Sequence, residues 1–391
     1  MLDHRSLGQL PRRPHTVFKN DGEMVAEHVF TRDGFSDLYS ILYQKRAPTH
    51  ETSVEMLTPP NPYLLAEPAP PQKLLKRRHV QSQNIPFAAE YLAGRQTLFI
   101  NDDCSVGVAK FNGPSKDFFS NGDSDELHFV VQGQGVCQTI FGELDYKYGD
   151  YIYIPKSVPY RFIPKGGDQV LMVTEGNKGL GIPSEFRLAQ GQLKLDAPYG
   201  HRDFKSPQRL LDVSGENPSI TIKRFNALTQ HTYTEWPYDV VGWDGWVYPF
   251  TFDVKDYRPR TTTLHLPPTS HTIFAGENFV VMNFVPRKVD YAEGAIPCPY
   301  PHSSVDCDEV LFYVEGNFTS RKGISSQSLS FHPGGIPHGP HPGKYEASVG
   351  DEKTDELAIM VDTIAPLTLT KASLENEDDS YHDSWNTKEH L

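Results

Sequence analysis

Cysteine is scarce in this chain: four in 391 residues, at positions 104, 137, 298 and 307, with no paired metal-type spacing. That excludes a disulfide framework and fits a reducing cytoplasm. Long apolar runs are missing too. Stretches such as Phe279-Val-Val-Met282 and Phe284-Val285 are far too short to span a membrane, and the opening MLDHRSLGQLPRRP has no apolar signal core. Neither membrane anchoring nor secretion is expected. Basic excess is absent: the formal net charge is −13 and the pI is near 5.6, so nucleic acid is not an expected partner. The one basic cluster, Lys73 to His79, reads as a solvated face. No long stretch sustains a 3.6-residue apolar period, which argues against a helical architecture.

Proline is plentiful, with 32 residues. It lacks the amide donor and collects at turns and sheet edges, so many short strands are favoured over long helices. The chain is long enough for two domains of ordinary size.

A repeat makes that division concrete. The stretch from Phe119 to Gly133, FSNGDSDELHFVVQG, reads in register with His302 to Gly316, HSSVDCDEVLFYVEG, at an offset of 183 residues (309 minus 126). Downstream, Gly149-Asp-Tyr-Ile-Tyr-Ile-Pro155 through Tyr160 answers Ser328-Leu-Ser-Phe-His332-Pro333 through His338, at an offset of 178 (338 minus 160). Glu309 therefore matches Glu126, while His302 matches Phe119 and His338 matches Tyr160. The first copy offers a carboxylate without imidazoles. The second offers His302, Glu309 and His338, the two-histidine, one-carboxylate set that suits ferrous iron and leaves open positions for oxygen chemistry.

The expected class is all-β with minor helix, built as two duplicated β-barrels of which only the C-terminal one binds metal. The expected divisions are an N-terminal arm and covering loops at 1–85, a degenerate barrel at 86–190 and a linker with short helices at 191–246. A catalytic barrel follows at 247–365, then a tail at 366–391.

Within the second copy, Glu309 runs along one strand into a turn at Gly316, and Pro333-x-Gly335-x-x-His338 reads as a strand end, a glycine turn and a histidine opening the next strand. The two patterns together resemble the paired signatures of the cupin superfamily, whose small barrels hold a metal in the mouth. The competing reading, three unrelated polar residues on loops and strand edges, does not account for the duplicated framework. His332 ends its strand six residues before His338, and a hairpin through Pro333-Gly-Gly would bring its ring towards the metal to orient substrate or carry a proton. His265, at the end of a threonine-rich stretch, is open to a structural or a functional reading, and His271 is a weaker candidate. His341 fits either a supporting group or an exposed loop residue. His128 and Cys307 read as structural.

The segments Leu264-His-Leu-Pro-Pro, Asn283-Phe-Val-Pro-Arg287, Pro301-His302, Asp308-Glu309, Pro337-His338-Gly-Pro and Ser380-Tyr-His-Asp-Ser-Trp385 resemble the homogentisate 1,2-dioxygenases, in particular their shorter microbial forms. Arg13-Pro-His-Thr-Val-Phe18 and Val240-Val-Gly-Trp243-Asp-Gly245 extend the likeness over most of the chain. The resemblance implies iron(II) on His302, Glu309 and His338, with His265 as acid and base and His332 and His338 near the substrate. It also implies an aromatic substrate, O2 and a homo-oligomer. Two departures stand out: His302 precedes Glu309 by one residue more than in the animal enzymes, and Phe318 replaces a tyrosine that approaches the substrate. Ring cleavage of another hydroquinone such as gentisate, or a metal-binding sensor without turnover, are the alternatives; substrate profiling and oxygen consumption separate them.

Overall fold

The structure, a computed structural model, describes residues 3–15, 19–213, 218–264, 266–295, 302–318 and 321–385. Strands dominate it, and its helices are short turns such as Tyr91–Gly94, Lys344–Ala347 and Lys371–Glu375. No described helix is long and apolar enough to cross a membrane.

The repeat is visible in the backbone. Strand Asp125–Gln132 lies between Asp150–Ile154 and Gln169–Gly176, and strand Asp308–Glu315 lies between Ser328–His332 and Leu357–Thr363, all pairings antiparallel. Both central strands are buried almost throughout, which is why they read as near-continuous apolar runs rather than as alternation. Both carry a register shift at the same place, Val130/Gln132 and Tyr313/Glu315, and both end on a glycine with positive φ, Gly133 and Gly316. A Cβ on Gly316 would also collide with the Asp355 carbonyl, so the turn admits little else.

The aspartate before each glutamate is duplicated in its bonding as well. Asp125 accepts from the amides of Lys156 and Leu180 at 2.8 and 2.9 Å, and Asp308 accepts from those of Gly334 and Leu367 at 2.6 Å each. In each copy one carboxylate ties two incoming loops to the start of the central strand and satisfies amides that burial would otherwise orphan.

Around the first copy an eight-stranded sheet, from Phe204–Lys205 through Asp125–Gln132 to Thr368–Leu369, faces a seven-stranded sheet running from Gly142–Lys147 to Ser53–Met56. The second copy is built on one seven-stranded sheet, from Leu180–Gly181 through Asp308–Glu315 to Arg78–Val80. One apolar core runs across both, with Phe99 and Phe331 at a ring separation of 5.2 Å.

The segments read as arm and linker hold more strand than that reading gave them. Arg5–Gly8, Ala26–Thr31 and Tyr39–Gln44 join Val240–Gly245 in a four-stranded sheet, and Arg78–Val80 borders the second copy's sheet. Within 191–246, Ser219–Arg224 pairs in parallel with Phe118–Asn121, and Ala227–Thr232 follows it in the first copy's sheet. Phe250–Asp253, expected in the second barrel, pairs with Asp150–Ile154 of the first. Tyr39–Gln44 with Val240–Gly245, Arg78–Val80 with Ser328–His332, Ser219–Arg224 with Phe118–Asn121 and Phe250–Asp253 with Asp150–Ile154 all pair far across the sequence, and such pairing covers edges that would otherwise stay open.

Candidate active site

Register places the site. Glu309 pairs with His332 on one side and with Asp362 on the other, so the three side chains leave adjacent strands on the same face of the sheet. His332 Nδ1 lies 2.7 Å from Glu309 Oε1, and Arg321 Nη2 donates to the same oxygen at 2.9 Å. Burial and the Arg321 charge push the fully buried His332 down to about 4, so the ring is neutral at pH 7. Its single proton is best placed on Nδ1, donated to Glu309, which leaves Nε2 to accept from the Tyr381 hydroxyl at 3.2 Å. Burial alone would raise the Glu309 carboxyl, but the hydrogen bond from His332 and the charge of Arg321 hold it below the usual range.

His338 enters from the far end of the Pro333–Pro337 turn, where Gly335 has a φ of 90°. Its backbone pairs with Ser304 through two 2.8 Å hydrogen bonds. The ring is 5.7 Å from that of His332 and 2% exposed. Nδ1 lies 3.2 Å from the Ile336 carbonyl, which takes its proton, and Nε2 is buried without a hydrogen-bond partner among the described residues. An imidazole fixed in this tautomer presents a lone pair at Nε2, the form in which histidine binds metal.

A roof closes over this row. The turn Tyr381–Trp385 sets Trp385 against His341 at 4.0 Å and within 6.0 Å of His332, and Arg77 stacks on Trp385 at 4.2 Å. His341 is fully buried and bonded to Ser384 Oγ at 2.9 Å, which gives it a supporting place and not an exposed one. Beside Arg321 opens a concavity of about 520 Å³ whose lining includes Phe318, Lys322 and Lys344.

Of the residues expected at the site, Glu309, His332 and His338 come together. His302 is exposed. Its carbonyl abuts Gly339, where any Cβ would collide with it, while Ser304 takes the backbone position opposite His338. In the first copy Phe119 itself pairs with Tyr160, so the chain before Glu309 is displaced by two residues relative to the repeat. His265 lies outside the described residues. Among the described residues no three His, Cys, Asp or Glu side chains form a group able to hold a metal as they lie. The donor chemistry nevertheless fits a divalent cation, on the strength of the buried, unpartnered His338 Nε2, on a ring 5.7 Å from that of His332, and of the Glu309 carboxylate bonded to His332.

Sequence reading missed Arg321, Asp362 and Tyr381. Asp362 had a signal: it stands to Glu309 as Glu175 stands to Glu126 in the paired strands. Tyr381 sat within the recognised Ser380–Trp385 segment without a role, and Arg321 belongs to no pattern.

Two family models match, one described as homogentisate 1,2-dioxygenase N-terminal over residues 23–254 and one as homogentisate 1,2-dioxygenase C-terminal over residues 248–390. A Saccharolobus solfataricus protein named "Putative dioxygenase" is 36% identical over 99% of this chain and 100% of its own length. The homogentisate 1,2-dioxygenase of Sinorhizobium medicae is 24% identical over 97% of this chain and 89% of its own. That of Bradyrhizobium diazoefficiens is also 24% identical, over 68% of this chain and 62% of its own length. Among solved structures, a cupin 2 conserved barrel domain protein from Leptotrichia buccalis aligns with a TM-score of 0.34 and 10% identity over 75% of this chain and 99% of that one. With both halves matched by its models, the chain belongs to the homogentisate 1,2-dioxygenase family of dioxygenase enzymes.

Proposed function

We propose that the chain opens the aromatic ring of homogentisate with O2 to give maleylacetoacetate, in the cytoplasmic catabolism of tyrosine and phenylalanine, with iron(II) held by His302, Glu309 and His338. The observation that carries this reading is the buried Nε2 of His338, which has no described partner and belongs to a ring 5.7 Å from that of His332, the residue bonded to Glu309. Bound there, iron(II) would supply a Lewis-acid centre with open positions for an anionic hydroquinone and O2.

The chain's own groups account for the rest. Arg321 and His332 fix one oxygen of Glu309, so the carboxylate is oriented before any ligand arrives. Arg321, Lys322 and Lys344 outnumber the single acid, Glu315, on the adjoining concavity, which favours entry of an anionic substrate. Trp385 and Tyr381 cover His332 and limit water on that side. His332 would meet a substrate hydroxyl through the nitrogen that Tyr381 now occupies, and His265 is assigned the acid and base role that the family likeness gives it.

The test is oxygen uptake by anaerobically purified, iron-loaded protein together with loss of homogentisate absorbance, with gentisate run alongside. Faster consumption of gentisate would replace the substrate, and no uptake with either would end the reading. His332→Ala should keep iron while kcat falls by about 10²- to 10⁴-fold, the usual contribution of a positioned acid or base.

A further inference from the structure

Asp362 and Glu309 are cross-strand partners, as Glu175 and Glu126 are in the first copy. The first copy balances its two buried carboxylates with two cations. Arg95 contacts both acids, and Lys223 donates to Glu175 at 2.7 and 2.6 Å. In the second copy Arg321 and the neutral His332 both meet Glu309 at Oε1. Among the described residues no Lys or Arg forms an ion pair with Asp362, and its Oδ1 is enclosed without a hydrogen-bond partner. A second unspent donor is the Nε2 of His338, a 2% exposed residue whose ring lies 5.7 Å from that of His332, which is itself bonded to Glu309. Relative to the first copy, the second is short of one cationic group and has lone pairs to spare.

We propose that Asp362 belongs to the metal centre: a divalent cation takes the place that Lys223 fills in the first copy, and the Asp362 carboxylate supplies the second negative charge that holds it there. This deepens the function proposed above and rests on its metal site. The competing account is an enclosed, uncharged acid that only packs against Glu309. A neutral isostere separates the two, since asparagine keeps the shape and removes the charge.

The experiment is an anaerobic titration of the metal-free full chain with cobalt(II) and iron(II), read by the cobalt d–d absorbance and by the metal-induced rise in Tm. The unaltered chain should bind one equivalent. Asp362→Asn should weaken both metals by about tenfold or more, the range set by loss of a group that supports a metal site. Asp362→Ser should do the same if the asparagine variant folds poorly, and Asp362→Glu, which restores the first copy's residue type, should stay within about threefold of the starting affinity. A variant without the carboxylate that folds and binds as tightly as the original, with an equal rise in Tm, overturns the role of Asp362. Failure of the unaltered chain to bind either metal overturns the metal site itself, so the two failures are distinguishable.

Discussion

The two copies share a backbone down to a bulge and a pair of loop-anchoring hydrogen bonds, yet one is closed by its own side chains and the other is not. In the first, Glu126 is met by Tyr160 at 2.7 Å, Asn121 at 3.0 Å and Arg95 at 2.6 Å, and Glu175 by Lys223 and Arg95. In the second, His338 stands at the Tyr160 position with a nitrogen unspent, and Asp362 stands at the Glu175 position without a described cation. Duplication has kept the carboxylates and varied what faces them. The scaffold sets where charge is buried, and a few facing residues decide whether protein or metal neutralises it.

The largest effect expected from this contrast is on metal retention. His338→Ala should lower bound iron by at least about tenfold, since loss even of supporting groups costs 10- to 100-fold, and oxygen uptake should fall with it. Tyr160→Phe, the matching position in the first copy, should leave iron content and uptake unchanged. Iron lost equally from both variants would mean that the copies do not divide the work this way.

Stability should follow the opposite ranking. Arg95 is fully buried between two carboxylates, and Arg95→Met leaves both short of their shared cation, a loss of about 3 to 5 kcal/mol for a broken buried pair. Arg321→Met should cost less in the metal-free protein, because Glu309 is 15% exposed and keeps its His332 hydrogen bond. Urea unfolding of the two variants decides it, and equal losses would blur the distinction between a closed and an open site. One step smaller, Tyr160→Phe removes a hydroxyl that donates to a buried carboxylate and should cost about 1 to 3 kcal/mol. Tyr381→Phe should change stability little and act instead on kcat and KM, through His332.

Much of this contrast was legible in the sequence because duplication supplies its own control. Offsets of 183 and 178 align Glu309 with Glu126 and the strand ending at His332 with the one ending at Ile154, and the structure pairs those two strands in the same register in each copy. The fold class was legible for the same reason: buried central strands write themselves as apolar runs. What stayed illegible depends on contacts between distant segments. Lys223 lies in a stretch read as linker, and its strand acquires meaning only by pairing in parallel with Phe118–Asn121. Arg321 lies between the strands that carry Glu309 and His332, at a distance from each that no spacing rule fixes. The displacement that sets Ser304 and not His302 opposite His338 is also invisible in an ungapped register, because an insertion in a loop leaves the strand pattern on either side intact.

The smallest effect, and the one that probes charge balance most directly, is the pH dependence of the metal-free protein. In the first copy, burial tends to raise Glu175 but Lys223 and Arg95 win, holding it down to about 2. Its folded value lies below its unfolded one, so it contributes stability above the ordinary carboxylate range that is lost as pH falls towards 2. In the second copy, burial and the Glu309 charge push Asp362 up to about 8. The sign reverses there. The folded protein keeps a proton that the unfolded chain has released, so stability is greatest below the ordinary aspartate value and falls as pH rises towards 8. One retained proton sets an upper limit of about 1.4 kcal/mol per pH unit on that slope, and the partial exposure of Asp362 should keep the observed slope below it. Denaturant midpoints of the metal-free protein between about pH 4 and 8 should therefore decline more steeply in the original than in Asp362→Asn, with the acid limb below about pH 4 the same in both. If the asparagine variant keeps the full alkaline slope, the uncompensated charge of the second copy lies elsewhere than on Asp362.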